Sequence, residues 1–408
     1  MLFALWFPNA MSISRDPGEP VQVLVVGAGP VGLFAALCAA SHGLTVRVVD
    51  QVWRGYAPGR AALLHPRSVE LLDKVAVGGA IRAAGHRIDA LSLQVAGAEP
   101  LQLPLSSPAF AVPQSALEDT LMAALRDSDV EFHVPYQAVT IEQSADLVDV
   151  RMTRRELVTL GSPAHYGEWE PVESSVMQAS FVIGADGYDS RVRSAIGVEP
   201  VVVGPTEVFA IFEGPLATPA EANIRLFFDD TSCAAILPLA NGRARCSFGV
   251  HENLDENPDI ERLRDLLAKR AAGSGLMLQK VDWGTVTQFE RRLARRFGSG
   301  RVWLAGDAAH VTSPLGHQSL NAGLFEAYDV AKRIASTVKG SAPRDGVEGY
   351  GAAHAREWHK MLGVNVRFDV LPNAPPWLPT YARRLVSALP VSGADLTNAL
   401  ERIGLRLR

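Results

Sequence analysis

From Val21 onward, short apolar runs alternate with breaks of glycine, proline and polar residues. Val21 to Val26 is a β-rich run of strand length, a glycine turn follows, and Val31 to Ser41 predicts a helix stopped at Gly43 ahead of a second apolar strand, Thr45 to Val49. Strand, helix and strand in that order form one βαβ unit, which opens an α/β fold with a doubly wound parallel sheet. Ser68 to Lys74 continues as a helix with Leu71 and Leu72 inward. Ser115 to Arg126 predicts another, with Ser115 as N-cap and Glu118 three residues on completing a capping box.

Between Val130 and Phe181 the pattern changes to alternating runs such as Thr140 to Gln143 and Leu147 to Met152, which suit antiparallel strands, with a polar hairpin-like insertion around Gly161 to Gly167. A second strand-rich region, Val201 to Val250, predicts a separate sheet. Its runs are Glu207 to Phe212, Asn223 to Phe228, Ala234 to Leu239 and Ala244 to Val250, the last two joined by the turn Ala240-Asn241-Gly242. Phe209, Phe212, Phe227, Phe228 and Phe248 in these runs are expected in its core more than in a pocket. A helix near Ile260 to Ala272, a strand Val302 to Ala305 and a helix Asn321 to Val338 follow. From about Gly346 the chain predicts helices broken by the proline-rich stretch Leu371 to Pro379, with no interpretable motif.

The 408 residues, 48% hydrophobic and 20% charged, suffice for two or three domains. A fold of this size buries roughly three quarters of its unfolded surface, which excludes disordered and fibrous classes. Basic residues number 39 and acidic 44, a formal charge of −5, with no clustered basic face, so no nucleic-acid partner is expected. Cys38, Cys233 and Cys246 are far apart and outside metal-ligand spacing; they predict small buried hydrophobes in a reducing, cytoplasmic setting and no metal site. Residues 1–20 are expected to be a flexible extension. Its apolar start, Met1 to Phe7, has no basic flank and ends at Pro8, which fits a secretory signal poorly, and Met11 is a second candidate start. The uncharged stretch Val23 to Val46 is long enough to span a membrane, but its glycines and proline divide it into strand, turn and helix, so no stable membrane insertion is expected.

Chemistry enters with Gly27-x-Gly29-x-x-Gly32, placed between strand and helix, and with Asp50 closing the next strand 23 positions after Gly27. Gly27 permits the tight turn, Gly29 lets a pyrophosphate approach the backbone, and Gly32 lets helix and strand pack closely. Pro30 stands in the same turn as a candidate cofactor-binding residue, the helix N-terminus offers N–H groups and a positive dipole to phosphates, and Asp50 can accept from a ribose. The pattern predicts a bound dinucleotide without saying whether nicotinamide or flavin.

Two later segments narrow that choice by resemblance. Val182-Ile183-Gly184-Ala185-Asp186-Gly187-Tyr188-Asp189-Ser190-Arg191-Val192-Arg193 resembles the Asp-Gly motif of the class A, single-component flavoprotein monooxygenases, the flavin-dependent aromatic hydroxylases similar to p-hydroxybenzoate hydroxylase. Gly300 to His310, containing Gly306-Asp307 and followed by Pro314, Gly316, Gln318 and Asn321, is similar to that family's Gly-Asp motif. Gly59-Arg60-Ala61, Pro66 to Leu72, and Gln114 with Leu117-Glu118 add to the likeness, which runs from about Val21 to Val338. The resemblance implies FAD as cofactor, NADH or NADPH as cosubstrate and O2 as oxidant. It implies that Asp307 holds the ribityl chain and that Gly316, Leu320 and Asn321 present the turn facing the pyrimidine side of the flavin. Pro314 would lie beside the reactive edge, Arg60 and Gln114 would hold the phosphate and ribityl portion, and Asp186 the adenosine half. It also implies a discontinuous FAD-binding domain (21–85, 110–200 and 298–345), an inserted antiparallel substrate domain (86–109 and 201–297) and a C-terminal helical segment (346–408).

The implied reaction inserts one oxygen atom into a small aromatic or heteroaromatic substrate through a flavin C4a-hydroperoxide. The chemistry is largely the cofactor's, and the protein positions the ring and excludes water. Where the family usually has glycines this chain has His317 and Ser319, and Glu326 and Asp329 replace a common aspartate and asparagine. Cβ atoms there would stiffen the turn. His317 is a candidate substrate contact against the alternative of a surface-turn histidine, and His65 and His310 are expected to be able to titrate near neutrality. Rival readings are a flavin-dependent reductase, epoxidase or halogenase of the same superfamily, a non-catalytic flavin-binding interaction protein, and a simple NAD-dependent dehydrogenase. The Trp-x-Trp-x-Ile-Pro and Tyr-x-Trp-x-Phe-Pro segments typical of halogenases and prenyl reductases are absent from the sequence. A chain of this length is expected to lack the thioredoxin-like C-terminal domain of some larger members, and a homodimer is left open.

Overall fold

The computed structural model describes residues 18–407 except 53–60, 96, 160–166, 218–222, 231, 252–258, 273, 344, 363–366 and 373. β1 (Val21–Val26), α1 (Pro30–Ser41) and β2 (Val46–Val49) form the opening parallel unit. Gly32 through Ala39 of α1 are all buried, so the helix is apolar on every side because it is enclosed, which explains the membrane-like look of its sequence. Burying Leu33, Phe34 and their like contributes about 1.5–3 kcal/mol each.

β3 (Ala61–Leu64), α2 (Pro66–Asp73), α3 (Gly78–Ala84), β4 (His86–Val95) and β5 (Leu101–Pro113) follow, and α4 (Gln114–Leu125) leaves β5 directly. The expected capping box does not form. Pro113 is the N-cap, Ser115 falls inside the first turn, and Glu118 accepts instead from Gln114 Nε2 at 2.8 Å. Next come β6 (Glu131–His133), β7 (Tyr136–Gln143), β8 (Val148–Thr159), β9 (Gly167–Gly184) and α5 (Arg191–Ala195). β7 with β8 and β8 with β9 are antiparallel as expected, but β6 pairs in parallel with β2 and the end of β9 in parallel with β1, corrections to the all-antiparallel reading of this stretch. Three residues are too few to reveal orientation by alternation. Most of the expected insertion near Gly161 lies outside the described residues.

The remaining elements are β10 (Pro200–Val202), β11 (Glu207–Pro215), β12 (Asn223–Phe228), β13 (Cys233–Leu239), β14 (Arg243–Val250), α6 (Ile260–Arg270), β15 (Trp283–Phe289), β16 (Arg292–Ala294), β17 (Gly298–Ser299), β18 (Val302–Leu304) and β19 (His310–Val311). α7 (Gln318–Val338), α8 (Glu348–Met361), β20 (Phe368–Val370), α9 (Leu378–Ala388), α10 (Ala394–Ile403) and β21 (Leu405–Leu407) complete the chain. The β20 and β21 pair was not anticipated; each strand has three residues, too short for a pattern.

Two large sheets organise this mixed α/β molecule. The first runs β17-β18-β9-β1-β2-β6, with β7 and β8 attached through β9. The second runs β15-β11-β14-β13-β12-β4-β5-β3, so β3 joins it although it precedes β4 by a whole helical segment. Alternate residues of the second sheet enter different cores: Phe212, Phe227 and Phe248 pack under α6, while Phe209, Ile211 and Phe228 face the core of the first sheet. The five phenylalanines are thus core residues. All three cysteines are free and buried, and burial pushes the Cys233 and Cys246 thiols up to about 12. Among the described residues no helix is long and apolar enough to cross a membrane.

Candidate functional site

Adjacent parallel strands β18, β9 and β1 end at one level, with Leu304 beside Gly184 and Gly184 beside Val26. Each is followed at once by one of the sequence motifs. The ladder continues one residue past the strands: Ala305 N–H donates to Gly184 O (2.9 Å), Ala185 N–H to Val26 O (2.7 Å) and Gly27 N–H to Val49 O (2.7 Å). Segments distant in sequence therefore form one rim at the carboxyl ends of a parallel sheet, where open α/β sheets place their ligands.

The first turn needs its glycines. Gly27 has φ of +109°, and a Cβ there would stand 2.2 Å from Ala185 O, while a Cβ on Gly32 would stand 1.9 Å from Gly27 O. Gly29 is different, because nothing lies within 4 Å of where its Cβ would be. The N-terminus of α1 has Gly29 as N-cap and no side-chain cap, so its first-turn N–H groups face this open space. A cleft of about 470 Å³ adjoins the turn, lined by Gly27, Gly29, Asp50, Tyr136, Asp186 and Arg191 among others. Asp50 accepts from Ala28 N–H (2.6 Å) and Val52 N–H (2.9 Å). Asp186 accepts from Ser190 Oγ (2.5 Å), Arg191 N–H (2.6 Å) and Val192 N–H (3.1 Å). Burial raises both carboxyls above their ordinary range, and the charge of Asp186 adds to the rise at Asp50. Open space over a helix N-terminus, beside a carboxylate that can take a ribose, fits a dinucleotide.

The Gly-Asp motif turns at Gly306, with φ of +65°, and Asp307 lies exposed just beyond it. Beneath this turn Glu326 is fully buried and accepts from Gly306 N–H (2.8 Å), His310 Nε2–H (2.7 Å) and Trp358 Nε1–H (2.7 Å). Burial alone would raise the Glu326 carboxyl; the His310 ring, with Gly306 N–H, instead holds it below its ordinary value. His310 stacks on Trp358, with ring centres 3.7 Å apart. Arg193 ties the two motifs together, donating to Tyr188 O (3.0 Å) and Ala308 O (2.9 Å). Arg193 was visible within a recognised motif, but only the fold shows what it reaches.

Pro314 and Gly316 lead into α7, which begins at Gln318, three residues before the expected start, with His317 as N-cap. His317 adopts φ of +50°, a left-handed conformation that costs a non-glycine residue about 1–2 kcal/mol. Its ring is half-buried, so it is no surface-turn histidine. Burial, with help from Arg245 and His65, pushes that ring down to about 3. Ser319 Oγ accepts from Thr312 N–H at 3.2 Å and staples the turn. Asn321 is buried, donating to Leu63 O and His317 O and accepting from His65 N–H, while Leu320 packs against the core. His65 donates from Nε2 to Gly316 O (2.9 Å), and burial lowers it to about 4, so the expectation that it titrates near neutrality is corrected. From the other side Gln318 Nε2 donates to Val386 O in the last turn of α9 and to Leu389 O just beyond it. The C-terminal segment thus braces the turn, a role without any sequence signal. Gln114 lies at the start of α4, and Arg60 falls outside the described residues.

Comparison with known proteins places this architecture in a class. The chain matches the FAD binding domain family over residues 20–362 and belongs to it, within the class A flavoprotein monooxygenases. An aromatic compound monooxygenase of Bacillus subtilis is 27% identical over 330 residues, 79% of this chain and 63% of that protein. The 6-methylpretetramide 4-monooxygenase of Streptomyces rimosus is 25% identical, covering 81% of this chain and 58% of that protein. The chain therefore spans about three fifths of the length of these two relatives. Among solved structures, p-nitrophenol 4-monooxygenase from Pseudomonas putida has the same fold, with a TM-score of 0.72, 21% identity, and coverage of 95% of this chain and 97% of that one.

Proposed function

We propose that the protein is an FAD-dependent monooxygenase that inserts one atom of O2 into an aromatic or heteroaromatic substrate, with NADH or NADPH as reductant. The observation that carries this reading is the single rim formed by the Gly27, Asp186 and Asp307 turns on adjacent strands. The names of the relatives, among them an aromatic compound monooxygenase, a 6-methylpretetramide 4-monooxygenase and an anhydrotetracycline 6-monooxygenase, support the substrate class.

In this reading the first sheet and its helices form the doubly wound FAD-binding domain, and the second sheet covers the substrate. The turn that Gly27 and Gly32 shape receives the pyrophosphate over Gly29 and Pro30, Asp50 takes the ribose, and Asp186 helps enclose the adenosine half. Asp307 and Gln114, with Arg60, hold the ribityl and phosphate portion. Gly316, Leu320 and Asn321 present the α7 N-terminus to the ring, where positive dipole and N–H groups favour negative charge. Pro314 and His317 border the reacting side. When bound, FAD supplies the electron transfer and oxygen activation, and the protein orients substrate against it and keeps water out.

The test is anaerobic mixing of purified flavin-loaded protein with NADH or NADPH, with and without a panel of phenols, quinolones and polycyclic aromatics. One compound is expected to accelerate flavin bleaching, and air then yields a product heavier by one oxygen. Protein that binds no flavin, or flavin whose reduction no compound accelerates, would overturn the reading.

A further inference from the structure

The inner face of the second sheet carries an ion pair among apolar neighbours. Glu213 on β11 and Arg245 on β14 are cross-strand partners, and Arg245 lies beside Leu237 on one side while Glu213 lies beside Trp283 on the other. Both side chains are about nine-tenths buried. Arg245 Nε donates to Glu213 Oε1 at 2.5 Å and its Nη2 approaches the same oxygen, while the guanidinium lies over the Trp283 ring, 5.8 Å from its centre. Residues on this face, such as Ile211, Ala235 and Leu237, belong to the core shared with the first sheet, so the pair looks toward the α7 turn rather than toward α6. Two further polar groups belong to this side. Ser247 stands two residues along β14 on the same face, and Leu315 and Leu320, which flank His317, pack in the same core as Ile211 and Leu237, with the charge of Arg245 helping to hold the His317 ring uncharged. Neither side chain makes a hydrogen bond with the described residues.

A buried ion pair is expensive, and an apolar pair of similar volume would often serve stability equally well. What it offers is a net-neutral, strongly dipolar spot with two open hydrogen-bonding groups beside it. An uncharged hydroxyl or enol can donate to neutral His317 Nδ1 or Nε2 and accept from Ser247 or Arg245. A carboxylate would bring a second negative charge next to Glu213 in a poorly screened interior.

We propose that Glu213, Arg245, Ser247 and His317 form the polar subsite of the substrate cavity, selecting aromatic substrates with an uncharged phenolic or enolic hydroxyl and rejecting those with a carboxylate. This inference rests on the monooxygenase reading. Glu213 sets the selectivity by neutralising Arg245, and His317 supplies the neutral acceptor that a glycine could not.

The test uses flavin-loaded protein at pH 6.5 and titrates matched pairs, such as catechol or 4-methylphenol against 4-hydroxybenzoate, following the flavin absorbance. The uncharged member is expected to bind at least tenfold more tightly. Glu213→Gln should reverse the order by removing the carboxylate that faces Arg245 and repels a second one, and His317→Gly should weaken the phenols severalfold while leaving the benzoates unchanged. Should Glu213→Gln fail to fold, Glu213→Leu with Arg245→Met is expected to lose the discrimination while retaining flavin. Equal binding of both classes, binding of neither, or a preference unmoved by the substitutions would overturn the subsite. Failure to hold flavin or oxidise NAD(P)H would instead overturn the reading beneath it.

Discussion

Gly29 and Gly32 sit three residues apart, yet their surroundings separate ligand binding from folding. A methyl group at Gly29 meets open space in the protein, and its backbone at φ of −72° suits alanine. Gly29→Ala is therefore expected to leave apoprotein melting unchanged and to weaken FAD binding at least tenfold, because the methyl would occupy the phosphates' approach. Gly32→Ala should destabilise the apoprotein itself: helix propensity would favour alanine by about 1 kcal/mol, but the 1.9 Å approach to Gly27 O reverses the sign. Thermal melts of apoprotein beside flavin-fluorescence titrations separate these outcomes; equal apoprotein losses in both variants would sink the distinction. These roles were legible in the sequence because glycine's uses in a strand-to-helix turn are local. The burial of His65 was not legible, since its neighbours Gly316 and Ser392 arrive from the far end of the chain.

Elements with a strong local period were legible almost to the residue, as with α1, β12 and β14, while the bond network between helices was not. The clearest case joins α7 to α8. Glu326 would pass for a surface carboxylate in the helical pattern, but it lies wholly buried with three donors from two separate segments, the Gly306 to His310 stretch and α8. Removing one donor leaves part of a buried charge unsatisfied, which costs about 1–3 kcal/mol. Trp358→Phe keeps a ring against His310 but deletes the N–H. It is expected to lower stability by that amount in urea unfolding, and less in a Glu326→Gln background, where the acceptor is uncharged. An equal loss in both backgrounds would show that only the shape of the indole matters. The missed capping box teaches the same lesson in reverse: Ser115 and Glu118 had the right spacing, and the entry of the chain from β5 moved the helix start.

At the scale of the molecule, the rim joins segments that meet only in the folded chain, so a ligand spanning them should stabilise the whole. FAD at a hundredfold excess over its Kd would add about 2.7 kcal/mol and raise Tm by several degrees. FMN, which lacks the adenosine half, cannot engage the cleft beside Asp50 and Asp186 and is expected to give a much smaller rise; equal shifts would argue that the cleft is not used. The strand order also carries a timetable. The last residue to line the cleft beside Asp50 and Asp186 is Arg191, and β18 and the α7 turn come much later in the chain. At about 5–20 residues per second, a ribosome needs roughly 7–26 s to travel from Arg191 to Asn321. The residues of the cleft beside Asp50 and Asp186 are therefore all on the chain before those of the α7 turn, and a nascent chain can meet the nucleotide half of its ligand before it can close on the whole.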